Sequence, residues 1–277
     1  MTRLQDTPFE AYFLDGTKGP LFGLYFPAVG APRGKVLCIP PFSEESNRCR
    51  VMLGMGARAL AQRGYSTLLL DLYGTGDSEG QFEQADWRTW LDDVRSGVDW
   101  LDQQPGPLTL WGTRLGAILA ADAARSLGER AERLLLWQPV SNGKQMFTQY
   151  LRLRVANSLE ASGRQETTKE LRERLAAGES LEIGGYYISP QMAADLDAAQ
   201  LPQDLSLPGV RIDWLERVDE GKSELGFASA KLIAGWREQG MDAHGHPFNG
   251  PPFWQLHERF LAPQLVELSC RLMEQGA

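Results

Sequence analysis

Short apolar runs alternate with stretches of helically spaced apolar residues along most of the chain. That alternation predicts a largely parallel sheet with helices on both faces. Residues 21–26 (LFGLYF) predict an antiparallel edge strand, and 35–39 (KVLCI), stopped by Pro40 and Pro41, a buried one. An amphipathic helix is expected over 51–60. The next strand, 67–72 (TLLLDL), empties into the glycine-rich loop 73–80 (YGTGDSEG). Trp87, Trp90, Leu91, Val94, Val98 and Leu101 recur at three- and four-residue steps, which makes one buried helical stripe and reads these tryptophans as core. Strands at 108–111 (LTLW) and 134–137 (LLLW) flank a helix over 114–127.

The pattern changes at Ser141. From there to Leu201 the chain is polar and helical, as in RQETTKELRERLAAGE, and shows no convincing buried strand. This predicts a helical cap, 141–201, inserted into a core made of 1–140 and 202–277. Strands resume with 210–215 (VRIDWL) and 241–248, around a helix at 225–239, and an amphipathic helix over 263–273 closes the chain.

At 277 residues and 43% hydrophobic, the chain can bury a sizeable core. Its net charge of -8 argues against a nucleic-acid partner. Residues 1–10 lack the basic and apolar regions of a secretory signal, and no apolar run is long enough to span a bilayer. Cys38, Cys49 and Cys270 lack metal-ligand or CxxC spacing, so reduced thiols in the cytoplasm are expected. YGTGDSEG has neither a P-loop lysine nor dinucleotide spacing, and HGH lacks a third metal ligand. No cofactor or metal is therefore expected.

The most informative residues are Trp111-Gly112-Thr113-Arg114-Leu115-Gly116, where an apolar strand stops and a helix starts. Such a turn needs small residues two before and two after its apex, so that neighbouring backbones can approach. It also aims the first helix N–H groups at whatever binds there.

This run resembles the G-x-S-x-G nucleophile elbow of the α/β-hydrolase superfamily, with Arg114 in the serine's place. Residues 71–80 resemble that superfamily's D-x-x-G-x-G-x-S loop, and Pro40-Pro41-Phe42 stands where its oxyanion-hole loop follows the third strand. More closely, PPFSEESN followed by Arg50, DLYGTGDSEG and WGTRLGA resemble the hydrolase family associated with the exosortase A protein-sorting system and exopolysaccharide gene clusters, in which arginine at the elbow is usual. The resemblance implies an α/β-hydrolase fold and a small-molecule or lipid-linked substrate from cell-envelope polysaccharide or protein-sorting metabolism.

A guanidinium stays protonated and cannot attack a carbonyl carbon. Arg114 therefore either holds the turn by pairing with loop carboxylates or clamps an anionic substrate group. By position, Phe42 and Leu115 would supply the oxyanion-hole N–H groups. The resemblance places an acid after the strand that follows the cap, at Asp219 or, as second choice, Glu216. It places a base after the last strand, where His244, His246 and His257 lie. His257, beside Glu258, sits a few residues later than the fold's usual histidine, while His244 and His246 alternate on one strand face. Ser43, Glu44, Glu45 and Asn47 crowd the loop after the third strand as substrate-binding candidates. Glu45 could also act as a general base on water, and Ser43 or Thr113 could offer a hydroxyl. Two readings remain open: hydrolysis of an ester, thioester or amide, or a catalytically silent protein that binds an anionic ligand under the cap.

Overall fold

The computed structural model describes residues 7–162, 166–255 and 260–275, with backbone alone at 157–162. Its main sheet has eight strands: β1 (Glu10–Asp15), β2 (Pro20–Phe26), β3 (Gly34–Ile39), β4 (Tyr65–Leu70), β5 (Leu108–Thr113), β6 (Ala131–Trp137), β9 (Arg211–Val218) and β10 (Ala243–Asn249). They lie in the order β1-β2-β4-β3-β5-β6-β9-β10. The β1–β2 and β2–β4 pairs are antiparallel, and every later pair is parallel. This is the α/β-hydrolase architecture. Strands β3, β5 and β6 are buried along almost their whole length because helices cover both their faces.

Helices α2 (Trp87–Leu101), α3 (Gly116–Leu127) and α7 (Phe227–Glu238) build one core layer with the sheet. Helices α1 (Glu44–Ala61) and α8 (Pro263–Glu274) build the layer on the other face. The tryptophan stripe is core as expected: Trp90, Val94, Val98 and Leu101 are buried, with Trp87 and Leu91 packed beside them.

Between β6 and β9 the chain inserts α4 (Gly143–Ser162), α5 (Thr168–Ala176), the hairpin β7 (Leu181–Ile183) and β8 (Tyr186–Ile188), and α6 (Pro190–Ala198). The hairpin corrects the expectation of a strandless insertion. Gly184 and Gly185, both at positive φ, form a two-residue turn that brings Leu181, Ile183 and Ile188 into the core.

Two further boundaries differ from expectation. Strand β2 is not an edge, because β1 pairs outside it. In β1, apolar Ala11 and Phe13 face outward while Tyr12 and Leu14 face inward, so no polar alternation marks it. Helix α1 begins at Glu44 rather than Val51, so Glu44, Glu45 and Asn47 stand on its first turns and not on a loop.

Candidate functional site

Strand β5 passes into α3 through Arg114 and Leu115 alone. Arg114 has φ 55°, the left-handed region, which costs a side-chain-bearing residue about 1–3 kcal/mol. Its N–H donates to Trp137 O (3.0 Å), and its carbonyl accepts from Ala117 and Val140 (3.1 Å each). The glycines are a steric requirement. A Cβ on Gly116 would lie 2.5 Å from the carbonyl oxygens of Ile39 and Pro40, and one on Gly112 would lie 2.6 Å from Gly116 O. Helix α3 thus starts in backbone contact with the ends of β3 and β5.

The Arg114 guanidinium grips Glu45 in a fork: Nε to Oε2 at 3.1 Å and Nη2 to Oε1 at 3.0 Å. Its Nη1 reaches Gln138 O at 3.4 Å, and the Trp254 ring centroid lies 5.0 Å from Cζ. Glu45 sits in the first turn of α1, where the helix dipole favours negative charge. The pair forms part of the wall of a cavity of about 440 Å³, which Phe42, Val140, Tyr150 and the α4 residues Gln145 and Gln149 also line. That volume lies in the range of small-molecule sites.

The other expected residues take varied places. Phe42 and Leu115 are buried, and among the described residues no group accepts a hydrogen bond from either N–H. Ser43 is buried outside the cavity lining, and its hydroxyl lies 2.5 Å from Tyr150 Oη. Glu44 accepts from Asn47 (2.9 Å) and pairs with Arg48, while Asn47 also donates to Tyr186 Oη (3.1 Å). Neither Glu44 nor Asn47 lines the cavity.

Asp219, just past β9, has a largely exposed side chain paired with Arg217 (3.0 Å) and Lys222 (3.3 Å). Hydrogen bonds from Lys222 and Arg217 hold its carboxyl below the usual range. Glu216 accepts from Trp214 Nε1 and from the N–H of Gly226, the residue before α7. His244 pairs with Asp242, and His246 with buried Asp213. His257 and Glu258 lie outside the described residues.

Sequence reasoning missed Gln138, Tyr150, Trp254 and the partner of Arg50. Arg50 meets Asp71 at 3.4 Å, and the Asp71 carboxylate also accepts from the Asp77 N–H. Burial raises the Asp71 carboxyl above its ordinary value. Helix α1 therefore joins all three quoted motifs, through Glu45 to Arg114 and through Arg50 to Asp71. Tyr150 and Trp254 carry no motif that could have singled them out.

Residues 30–180, more than half of the chain, match the family described as Serine aminopeptidase, S33. The chain belongs to that family. At the coarsest level, then, this S33-family protein is an α/β-fold hydrolase. No curated protein matches it. Among solved structures it is similar to Est1E from Butyrivibrio proteoclasticus (13% identity, 96% of this chain and 98% of that one, TM-score 0.63). It is also similar to an alpha-beta serine hydrolase homologue from Coxiella burnetii (16%, 97% of each chain, TM-score 0.55). The bottromycin epimerase BotH, solved with bottromycin A2, is a third such structure (17%, 97% and 100%, TM-score 0.56). At these identities the likeness is one of fold.

Proposed function

We propose that the protein hydrolyses an ester, thioester or amide bond in a small or lipid-linked metabolite that carries an anionic group, without a hydroxyl nucleophile at the elbow. The carrying observation is the Arg114–Glu45 fork on the wall of the cavity, beside the start of α3. A substrate carboxylate or phosphate competes with Glu45 for the same guanidinium. Once displaced, Glu45 is a carboxylate released from its counter-charge on the cavity wall, with both oxygens open to water.

Glu45 then takes a proton from water as the water oxygen bonds to the acyl carbon. The N–H groups of Phe42 and Leu115 receive the oxyanion. Collapse of the tetrahedral species breaks the bond to the leaving group, which takes the proton back from Glu45. Residues 141–201 act as the cap over the core formed by 1–140 and 202–277, and α4 screens the cavity from solvent. Resemblance to the exosortase-associated hydrolases supports a cell-envelope metabolite as substrate and a cytoplasmic setting. Asp219 is committed to Arg217 and Lys222 and takes no part in this scheme. His257 is the competing base.

The test is an acyl ester and thioester panel, with and without a carboxylate or phosphate on the substrate. Glu45→Gln should lower kcat by about 10²-fold or more. Arg114→Ala should raise KM for the anionic substrates far more than for the neutral ones. His257→Ala abolishing turnover while Glu45→Gln leaves it intact would sink the assignment of the base. Silence of the unmodified protein across the panel would sink the hydrolase reading.

The second reading is a binder without turnover. It is favoured by the apex residue itself, since a guanidinium supplies no nucleophile. BotH, described as an epimerase, supports the idea that this fold serves tasks other than hydrolysis. Anion binding lost in Arg114→Ala, with no product formed, would select it.

A further inference from the structure

We propose that Tyr150 is a positioning residue that locks the Phe42–Ser43 turn only while the inserted segment is docked, so that the cavity's oxyanion side is assembled by docking. The inference rests on the hydrolytic reading above and adds a regulation of that same site.

Ser43 precedes the first turn of α1, where a serine ordinarily has extended backbone and caps a free helix N–H with its hydroxyl. Here it does neither. Its φ is 55° and ψ -133°, a left-handed conformation that favours glycine, and its side chain makes no capping bond. The hydroxyl is turned instead across to the inserted segment, 2.5 Å from Tyr150 Oη.

The direction of that bond follows from proton count. Tyr150 Oη lies 2.6 Å from Ile183 O, a carbonyl that can only accept, so the single phenol proton goes there. Ser43 therefore donates to Tyr150. Burial raises the phenol above its ordinary value and keeps it neutral, so the chain runs one way: Ser43 to Tyr150 to Ile183. The Tyr150 ring also stands edge-on to Phe42, with centroids 5.3 Å apart. One side chain thus ties α4, β7 and the Phe42–Ser43 turn together.

The unfavourable backbone of Ser43 has a specific support in this bond. With the segment lifted, the hydroxyl loses its partner and the turn relaxes toward negative φ. Phe42, whose N–H is assigned to the oxyanion, moves with it. Among the described residues, other hydrogen bonds between segment and core, such as Trp87 N–H to Asp195 at 3.0 Å and Asn47 to Tyr186 Oη at 3.1 Å, do not involve Phe42 or Ser43.

The experiment crosses Tyr150→Phe with Ser43→Gly. Phenylalanine keeps the ring and removes only the hydroxyl, and glycine accepts positive φ without help. In the Ser43 protein, Tyr150→Phe should lower kcat on the best substrate of the panel about tenfold with KM changed less than about threefold. Ser43→Ala, which deletes the same bond from the other side, should match it. In the Ser43→Gly background, Tyr150→Phe should cost less than about twofold. An equal loss in both backgrounds, or none in either, overturns the inference.

If the unmodified protein shows no hydrolysis, the hydrolytic reading alone has failed, and amide hydrogen exchange over residues 42–47 reads the lock directly. Tyr150→Phe should then speed exchange about five- to tenfold with Ser43 present, the scale of one lost hydrogen bond. It should change exchange less than about twofold with Ser43→Gly. Equal acceleration in both backgrounds again overturns the inference.

Discussion

Gly112 and Gly116 show what the turn around Arg114 demands of single residues. Ala at Gly116 would press its Cβ against two carbonyl oxygens that cannot move without shifting β3. Gly116→Ala should therefore cost about 1–3 kcal/mol in urea unfolding. Gly235→Ala, inside α7 with nothing within 4 Å of the added Cβ, should stabilise by about 0.5–1 kcal/mol. Asp93 makes a pH-dependent case. Its side chain is fully buried, Oδ2 accepts from the Tyr73 N–H at 2.8 Å, and Oδ1 has no partner among the described residues. Burial pushes the carboxyl up from 3.8 to about 6. A group whose folded value is raised favours the fold when protonated, and that contribution is lost as pH rises from 3.8 through about 6. Asp93→Asn should be more stable than the parent at pH 7.5, by up to roughly 3 kcal/mol, and should lose the advantage at pH 4.

Helix α8 is held by its C-terminus as well as by its apolar face. Arg133, near the start of β6, donates to Leu272 O at 2.9 Å, satisfying a last-turn carbonyl of α8. The charge is balanced by Asp213, fully buried and in contact with Arg133 (2.8 Å), Arg211 (3.1 Å) and His246 (2.8 Å). Burial pushes the Asp213 carboxyl up, but hydrogen bonds from His246 and Arg211 and the charge of Arg133 outweigh it and leave it at about 2. Removing one member of such a pair strands a buried charge. Asp213→Asn should therefore destabilise by about 3–5 kcal/mol at pH 7, measured by urea unfolding. With the folded value depressed, the carboxylate's contribution is present above 3.8 and fades as pH falls through about 2. The gap between variant and parent should shrink over that window.

For the whole molecule, the cavity between the sheet's carboxyl end and α4 makes stability depend on occupancy. An anionic ligand at about 100 times its Kd adds about 2.7 kcal/mol, which for a chain of this size raises Tm by roughly 5–10 °C. Thermal scans with short acyl carboxylates and with inorganic phosphate should show a saturable rise. The rise should disappear in Arg114→Ala and persist in Asp219→Asn, because Asp219 is absent from the cavity wall. A rise of equal size in Arg114→Ala would place the anion elsewhere.

Local periodicity was enough to predict the buried strands, the helices between them and the strand-to-helix turn at Arg114, since each is written in neighbouring residues and in glycines without room for a side chain. Helix α1 starts seven residues before its apolar pattern because its first two turns are mostly polar: they carry Glu45 and Arg50 to ion pairs, and only Cys49 of residues 44–50 is buried in the core. The β7–β8 hairpin escaped because three-residue strands are too short to show alternation. Tertiary structure alone decided which carboxylate meets Arg114, 69 positions away, and that Ser43 turns from its own helix to Tyr150, 107 positions away. Both are contacts between side chains brought together by sheet order, and no spacing along the chain encodes them.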